Sequence, residues 1–365
     1  MIQIKDVIAA LENFANPGFQ EGYDNAQLIV GDRDKEAKAA LLTLDSTEDV
    51  VEEAIAKGCN LIIAHHPIIF SGLKQLTGKN YIERTIIKAI KNDIAIYAMH
   101  TNIDNVTGGV NFKIAEVLGL QNVKILAPKK GFLRKLHTYV PNKNLEEVMN
   151  ALFLSGAGNI GNYSECAFQL EGKGSFKAGS LANPSIGEIG KRHTEQEMKI
   201  EVLYNRVDES KIIAALKANH PYEEVAYECV SIENSHQGLG SGAIGDLPEE
   251  IETMQFLYQL KELFKVEAIR FTNPTTDKIK KVALCGGSGS FLLPNAIKEK
   301  ADVFITGDFK YHDFFDSDGQ IMIADIGHYE SEQYTKELFK EILQEKIPNF
   351  VTHLSQVITN PINYI

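Results

Sequence analysis

The sequence predicts an α/β fold: a parent domain made of duplicated β-α-β units and interrupted by an inserted α+β domain. Three observations support this prediction. Short apolar runs alternate with capped amphipathic segments, the pattern of residues 39–99 recurs after residue 280, and the middle of the chain follows a different order. The chain has 365 residues, of which 44% are hydrophobic, and this is enough for two domains with separate cores.

The N-terminal part predicts a helix followed by alternating strands and helices. Residues 4–15 carry apolar groups at helical spacing, and Asn16 and Pro17 close that segment. A buried strand is expected at 39–44, and a helix capped by residues 45–47 runs from there to about Lys57, where Gly58 stops it. We further expect a buried strand at 61–64, a helix at 81–91 and a third strand at 94–99.

A second copy of this pattern follows residue 280. It predicts a strand at 281–284, a loop at 286–290, a helix at 291–300, and strands at 303–305 and 321–324. With a constant offset of 242 positions, Leu42 matches Leu284 and Ile63 matches Ile305. A duplicated unit explains this recurrence, and chance similarity of two β-α-β patterns is the alternative. In a duplicated α/β domain, strand ends from both halves can face one cleft.

The middle of the chain predicts a separate domain. Its segments follow the order β-α-β-β-α-β. The strand-like segments are 133–140, 167–170, 198–204 and 225–232, and the helix-like segments are 145–155 and 208–219. This is the ferredoxin-like order. We therefore expect an inserted domain at 129–239 and a discontinuous parent domain at 1–128 and 240–365.

Composition excludes several classes of protein. The formal net charge is −12 and the pI about 5.4, whereas a dedicated duplex-DNA binder carries a basic excess, so nucleic acid is a poor partner. The sequence shows no signal peptide and no apolar run long enough to span a bilayer, so we expect a cytoplasmic protein. Four scattered cysteines, expected as buried thiols, form no CxxC pair: Cys59, Cys166, Cys229 and Cys285.

Five residues that follow strands or begin helices predict a metal site. His65 and His66 end the strand at 61–64, and on a regular strand they would point to opposite faces, so each could hold a different ion only if the chain turns. His328 and Glu332 are four positions apart, which places them on one face of a helix. Asp104 follows the third strand. Taken singly, each signal has another explanation. His65 and His66 could be structural or incidental histidines, and His328 and Glu332 could lie on a solvated helix surface. Asp104 could be a turn or N-cap carboxylate.

Because each of these signals follows a strand of the same predicted domain, the side chains can converge. Three imidazoles and two carboxylates favour zinc, iron, manganese, cobalt or nickel over calcium or magnesium. Glu332 has two oxygens and could bridge two ions. Such ions can generate a nucleophile by lowering the pKa of bound water.

Three further features border the predicted cleft. Asp45 could support a metal ligand or cap a helix. Residues 286–289 are glycine-rich and could bind an anion or form a tight turn. His312, in an unusually polar strand end, is a candidate general acid/base or substrate contact.

Four segments of the chain together resemble the family of GTP cyclohydrolase 1 type 2 homologues, also called the Ngg-interacting-factor-three-like family. These segments are residues 65–67, 100–104, 306–312 and 327–332. The resemblance implies a dinuclear metal centre held by the five residues named above, and a toroidal homohexamer. Residues 156–163 and 220–224 resemble the PII/CutA-like insert of long bacterial members. One departure from the family pattern is Gln27, where the family often has glycine.

The resemblance favours a metal-dependent hydrolase that acts on a nucleotide or another phosphate-bearing small molecule with a metal-activated water. The family name implies opening of the imidazole ring of GTP. A non-enzymatic metal carrier or regulatory protein is the alternative. A ring that handles single-stranded nucleic acid is a third hypothesis, which the acidic charge disfavours.

Overall fold

The computed structural model describes all 365 residues and divides them into two compact units. The first unit combines residues 1–128 with residues 238–365, and the second consists of residues 129–237. Three sheets and eleven α-helices give a mixed α/β fold, which confirms the α/β part of the predicted fold class. None of the helices is long and apolar enough to cross a membrane.

The first sheet forms one half of the first unit. Its strands are β1 (Leu28–Val30), β2 (Ala40–Thr43), β3 (Leu61–Ala64), β4 (Ala95–Ala98) and β15 (Thr352–Leu354). They lie in the order β1-β4-β3-β2-β15, and all neighbours are parallel except β1 and β4. Every residue of β2, β3 and β4 is buried, as expected for parallel strands covered on both faces.

The helices of this half are α1 (Ile4–Phe14), α2 (Glu48–Ala56), α3 (Tyr81–Lys91), α4 (Thr101–Asp104) and α5 (Val110–Val117). Two of them, α2 and α3, begin at residues whose side chains cap them. The Thr47 side chain accepts a hydrogen bond from Val50 N at the start of α2, and Asn80 does the same for Glu83 N at the start of α3. The cap of α2 is therefore Thr47 and not Asp45.

The second sheet forms the other half of the first unit. Its strands are β5 (Gln121–Pro128), β10 (Gly240–Glu252), β11 (Arg270–Phe271), β12 (Lys278–Ser288), β13 (Val303–Gly307) and β14 (Met322–Asp325). They lie in the order β11-β14-β13-β12-β10-β5. Its helices are α8 (Thr253–Leu263), α9 (Leu293–Lys298), α10 (His328–Glu332) and α11 (Thr335–Lys346). The sequence prediction missed β5 and β10, which pair with each other at the edge of this sheet.

The two sheets repeat the same arrangement. Both contain a run of parallel strands, four in the first sheet and three in the second, and an antiparallel strand lies at one edge of each run, β1 beside β4 and β11 beside β14. The register repeats as well, because Leu42 pairs with Ile63 and Leu284 pairs with Ile305, at the offset of 242 seen in the sequence. The carboxyl ends of strands from both sheets consequently carry the residues predicted to bind metal.

The prediction of a loop at residues 286–290 is wrong for residues 286–288. Strand β12 continues to Ser288, which pairs with Gly307 after a shift in register. Glycines favoured a loop prediction, but in strands they also mark irregularities where another group approaches closely. Here the approaching groups are Glu332 and His328.

The second unit has an antiparallel sheet with two helices. Its elements in chain order are β6 (Leu133–Pro141), α6 (Leu145–Leu154), β7 (Ala167–Lys177), β8 (Arg192–Asn205), α7 (Glu209–Asn219) and β9 (Tyr227–Ser231). The strands lie in the order β7-β8-β6-β9. Residues such as Leu136 and Ile200 from the sheet and Leu152 and Leu216 from the helices form its buried core.

Candidate metal centre

The structure brings together all five residues that the sequence predicts as metal ligands. His65 and His66 follow β3, Asp104 ends α4, and His328 and Glu332 are the first and last residues of α10. Their ligand atoms form two groups, each with atoms within 4.8 Å of one another: His65, Asp104 and Glu332 in one, and His66, His328 and Glu332 in the other.

Glu332 belongs to both groups and presents a different oxygen to each. Its Oε1 atom lies 3.7 Å from His65 Nε2, whereas its Oε2 atom lies 3.1 Å from the Nε2 atoms of both His66 and His328. On the Oε1 side, Asp104 Oδ1 lies 3.6 Å from His65 Nε2. A single buried carboxylate thus stands between two sets of donors, as a bridging ligand would.

The two adjacent histidines share one side of the chain because the strand ends before them. The backbone N–H groups of His65 and His66 both donate to Leu44 O, at 3.0 and 2.9 Å, so the chain bends there. Their ring centroids lie 4.9 Å apart, which a regular strand would not allow. The sequence required such a turn if the two rings were to serve neighbouring ions.

Aspartates orient two of the histidines from behind. Asp45 Oδ1 lies 2.8 Å from His66 Nδ1, and Asp308 Oδ2 lies 2.7 Å from His328 Nδ1. Asp45 is itself held by the Thr359 hydroxyl. These contacts leave the Nε2 atom of each ring facing the centre, which is the usual arrangement of metal-binding histidines.

His65 and His100 are held in the same way. His65 Nδ1 lies 3.0 Å from the carbonyl oxygen of Met99, and His100 Nδ1 lies 2.8 Å from Asp24 Oδ1. The ring of His100 lies 5.3 and 5.4 Å from those of His65 and His66, and the ligand atoms of the three rings lie within 4.8 Å. The ligand prediction omitted His100, although it follows β4 just as His65 follows β3.

The protein leaves two atoms of the centre without partners. His65 Nε2 and Asp104 Oδ1 are buried and make no hydrogen bond. Buried polar atoms are normally hydrogen-bonded, so these two are costly unless a cation satisfies them. Imidazole and carboxylate donors suit borderline divalent ions such as zinc, manganese or iron. The residues therefore fit a metal.

Glycines make room for the acidic ligand. A Cβ atom on Gly287, whose φ is +60°, would lie 2.4 Å from Glu332 Oε1 and 3.1 Å from His328 Nε2. A Cβ atom on Gly307 would lie 2.7 Å from His328 N. Residues 286–289 are thus neither a phosphate loop nor a simple turn, because their backbone packs directly against the centre.

Hydrogen bonds tie the two halves of the first unit at the centre. The Asn111 side chain donates to Asp104 O at 2.9 Å and accepts from Gly286 N at 2.9 Å. Within the second half, Ser331 Oγ accepts from Gly287 N at 2.9 Å and donates to His328 O at 2.7 Å. The protein itself therefore holds the candidate ligands from distant segments in place.

In the metal-free protein, two histidines of the centre hold protons. Burial opposes protonation of His66, but its hydrogen bonds to Asp45 and Glu332 outweigh burial and raise the pKa of His66 to about 10. Burial likewise opposes protonation of His328, and Glu332 and Asp308 together raise the pKa of His328 to about 9. A metal ion must displace these protons.

The pKa values of the two carboxylates in the centre are shifted in opposite directions. Burial, followed by the charge of Glu332, raises the pKa of Asp104 to about 7. Burial also acts to raise the pKa of Glu332, but the charge of His65 and hydrogen bonds from His328 and His66 outweigh it and hold that pKa well below its usual value. Glu332 is consequently the permanent anion of the centre.

Two other polar residues stand apart from the ligand groups. His312 begins a 3-10 helix and its ring contacts Tyr311 and Phe315, so the structure does not place it among the clustered ligands. Cys285 is buried, and burial together with the charge of Asp104 raises the pKa of its thiol. The expectation that all four cysteines are buried is wrong, since Cys229 is exposed.

Comparison with known proteins gives consistent matches over the whole chain. The model of the Duf34/NIF3 (NGG1p interacting factor 3) family matches residues 2–361. A protein of Halalkalibacterium halodurans named "GTP cyclohydrolase 1 type 2 homolog" is 38% identical over 98% of this chain and 98% of its own length.

Solved structures match equally well. The Bacillus cereus protein related to NIF3 superposes with a TM-score of 0.87 at 39% identity, covering 100% of this chain and 99% of the other. The Staphylococcus aureus protein SA1388 gives a TM-score of 0.80 at 32% identity with the same coverage.

Proposed function

Because this chain belongs to the Duf34/NIF3 family, we propose that its clustered histidines and carboxylates bind two divalent metal ions and hydrolyse a nucleotide or another phosphate-bearing small molecule. The observation that carries this proposal is the position of Glu332, which offers one oxygen to each of two donor groups.

In this proposal, each of the two donor groups holds one ion. His65, Asp104 and Glu332 Oε1 would hold one ion, and His66, His328 and Glu332 Oε2 the other. Zinc, iron, manganese, cobalt and nickel all suit this set of nitrogen and oxygen donors. Bound ions of this kind supply Lewis acidity and activate water at neutral pH.

His100 is the side chain that we assign to the substrate. Asp24 holds its Nδ1 atom, and hydrogen bonds from His100 and Thr101 overcome the effect of burial and lower the pKa of Asp24 to about 2. An aspartate that stays ionised fixes the orientation of the imidazole, and its Nε2 atom faces the centre. His100 is therefore better placed than His312 to exchange a hydrogen bond or a proton with a substrate at the metal centre.

An exposed aromatic pair beside His100 supports a substrate that contains a planar ring. Tyr23 and Phe70 are 67% and 52% exposed, and their rings stack with centroids 6.5 Å apart. The Phe70 ring also lies 5.9 Å from that of His100, edge to face. Exposed aromatic faces of this kind stack on nucleobases without strong base preference. Together with the phosphate affinity of divalent ions, the pair favours a nucleotide.

The proposal also includes the architecture of the assembly. The β-α-β-β-α-β order and the strand order β7-β8-β6-β9 support a ferredoxin-like, PII/CutA-like role for the second unit. The matching register of the two sheets supports duplication in the first unit. A toroidal homohexamer is part of the proposal, and exposed aromatic residues such as Tyr311 and Phe315 are candidates for its interfaces.

Turnover of nucleotides by metal-reconstituted protein tests the proposed activity. Elemental analysis of the purified chain would first identify the bound ions, which would then be removed and restored. We expect the restored protein, but not the stripped protein, to consume GTP or another nucleotide in a substrate screen. Glu332→Ala should abolish turnover while circular dichroism shows a folded chain.

The same experiment separates an enzyme from a metal carrier. A chain that binds and exchanges two ions but turns over no nucleotide or other phosphate compound would support the carrier. Turnover that persists in the stripped protein, or in Glu332→Ala, would contradict the metal-dependent mechanism. His312→Ala is the matched control, and we expect it to retain its metal.

A further inference from the structure

The second unit contains a cavity of about 690 Å³ that is unrelated to the metal centre. Strands β7 and β8 form its floor, and residues 178–185 and 222–226 border it. Its volume lies within the range of sites that bind small molecules. The segment 220–224 carries a sequence pattern for which the metal centre provides no role.

A buried carboxylate faces this cavity. Glu197 is 8% exposed, and its Oε1 atom accepts a hydrogen bond of 2.7 Å from the Tyr222 hydroxyl. Its Oε2 atom lies against Gly174, where a Cβ atom would come within 1.9 Å of it. No lysine, arginine or histidine lies within ion-pair distance of Glu197, and buried carboxylates are normally paired.

The histidine near Glu197 does not supply the missing positive charge. His220 Nδ1 accepts a hydrogen bond from Tyr222 N at 3.1 Å, so its Nε2 atom carries the proton and donates to Tyr139 O at 3.0 Å. Burial lowers the pKa of His220, which keeps the ring neutral. The role of His220 is to fix the position of Tyr222.

The lysines that border the cavity do not neutralise Glu197 either. Lys199 Nζ is hydrogen-bonded to Glu201 at 2.7 Å. Lys173 and Lys177 occupy exposed positions on β7, and neither pairs with Glu197. The cavity therefore combines an unneutralised carboxylate with lysines that are solvated or already paired.

Aromatic rings line the same cavity as this carboxylate. Phe176 and Tyr222 both line the cavity, with ring centroids 6.0 Å apart, and Tyr139 lines it as well. Aromatic faces attract organic cations through the ring quadrupole, and they also provide apolar contact. A metal ion fits less well, because the groups of ligand atoms able to hold one all lie in the first unit.

We propose that this cavity binds a small organic cation, an ammonium or guanidinium compound with an apolar body. The cationic group pairs with Glu197, and the body lies against Phe176 and Tyr222. This assignment does not rest on the hydrolase activity proposed for the first unit.

Calorimetric titration of the full-length protein with phenethylammonium chloride tests the assignment, and 2-phenylethanol is the neutral probe of the same shape. We expect saturable binding of the cation, with one site per chain, and at least about tenfold weaker binding of the alcohol. Glu197→Gln keeps an acceptor for Tyr222 but removes the charge, so it should weaken binding of the cation by a similar factor.

Two further variants control the interpretation. Gly174→Ala should displace the Glu197 carboxylate and also weaken binding, whereas Glu188→Gln, at an exposed glutamate paired with Lys191, should bind like the unaltered chain. Thermal melting must show that each variant is folded. Equal affinity for the ammonium and the alcohol, unchanged affinity in Glu197→Gln, or no saturable binding at millimolar cation would each overturn the proposal.

Discussion

His66 Nε2 lies 3.3 Å from His328 Nε2, although 262 positions of sequence separate the two residues. Each ring is anchored at Nδ1 by an aspartate, so neither can turn its Nε2 atom away without losing that contact. Both nitrogens also lie 3.1 Å from Glu332 Oε2, so each ring can donate an N–H group to this carboxylate or bind a metal ion beside it. Protons and metal ions therefore compete for the same two atoms.

Metal binding should release protons. The pKa values of His66 and His328 in the metal-free protein are raised to about 10 and about 9, so at neutral pH both rings are protonated and must lose a proton to bind an ion. We expect the apparent metal affinity to rise with pH up to about these values. Calorimetric titration of metal into stripped protein, in two buffers of different ionisation enthalpy at one pH, measures the number of protons released.

The variant His328→Ala is the comparison for this titration. It should release fewer protons per ion bound than the unaltered chain. Heats that do not depend on the buffer would show that the rings are already neutral, contrary to the prediction.

The stability of the metal-free protein should fall as the pH rises. An unfolded histidine titrates near pH 6.5, and both rings bind their protons more tightly in the folded protein. Their contribution to stability is therefore complete below about pH 6.5 and is lost progressively as the pH rises through about 9 and 10. Urea unfolding of the stripped protein across this range measures the loss.

The metal-loaded protein should behave differently in the same range, because deprotonated rings are then stabilised by the ions. If the stripped and loaded proteins showed the same pH dependence, the two histidines would not be the groups responsible.

Local patterns were sufficient to predict the elements that carry the ligands. The buried runs of β3 and β4, and the caps at Thr47 and Asn80, depend on neighbouring residues, and so their approximate bounds follow from the sequence. Because parallel strands end at the same edge of a sheet, residues just beyond them converge. This is why the convergence of the five candidate ligands was predictable from chain positions far apart.

Contacts between distant segments were not predictable in the same way. Asp24 lies 76 positions from His100, and no local pattern shows that its carboxylate reaches that histidine. The glycines of residues 286–289 gave a misleading loop signal, since the reason for Gly287 is the approach of Glu332 from another helix. Strands such as β10 were missed because their pairing partners are remote in sequence.

The two donor groups should lose their ions separately. Asp104→Asn removes a charge from the group that contains His65, so we expect about one ion per chain to remain where two were bound. Glu332→Gln alters both groups and should leave neither ion tightly bound. Elemental analysis after gel filtration measures the ratio. Loss of both ions in Asp104→Asn would indicate that the groups are not independent, and no loss in Glu332→Gln would argue against a bridging role.

Gly287→Ala should weaken metal binding as well as stability, because the added methyl group would clash with Glu332 in addition to straining the backbone. The new methyl group would meet Glu332 Oε1 at 2.4 Å, in addition to the left-handed backbone, which costs about 1–2 kcal/mol for a residue with a side chain. Gly58→Ala is the matched control, because Gly58 has a φ of +68° and no atom within 4 Å of the added carbon. Both variants should lose stability in urea unfolding, but only Gly287→Ala should lose metal. Equal metal content in the two would mean that Glu332 can move aside.

Removing the aromatic pair should impair recognition of a nucleotide while leaving the metal centre intact. Stacking on an aromatic side chain contributes about 1–3 kcal/mol per base, so Phe70→Ala or Tyr23→Ala should raise the KM for a nucleotide substrate about tenfold. We expect little change in kcat and in metal content, since neither ring lies in a ligand group. Inhibition by tripolyphosphate, which has no base, should be the same in the variants and in the unaltered chain. Phe291→Ala, at another exposed phenylalanine, is the control. A fall in kcat without a change in KM, or equally weakened inhibition by tripolyphosphate, would show that these rings shape the centre and do not bind a base.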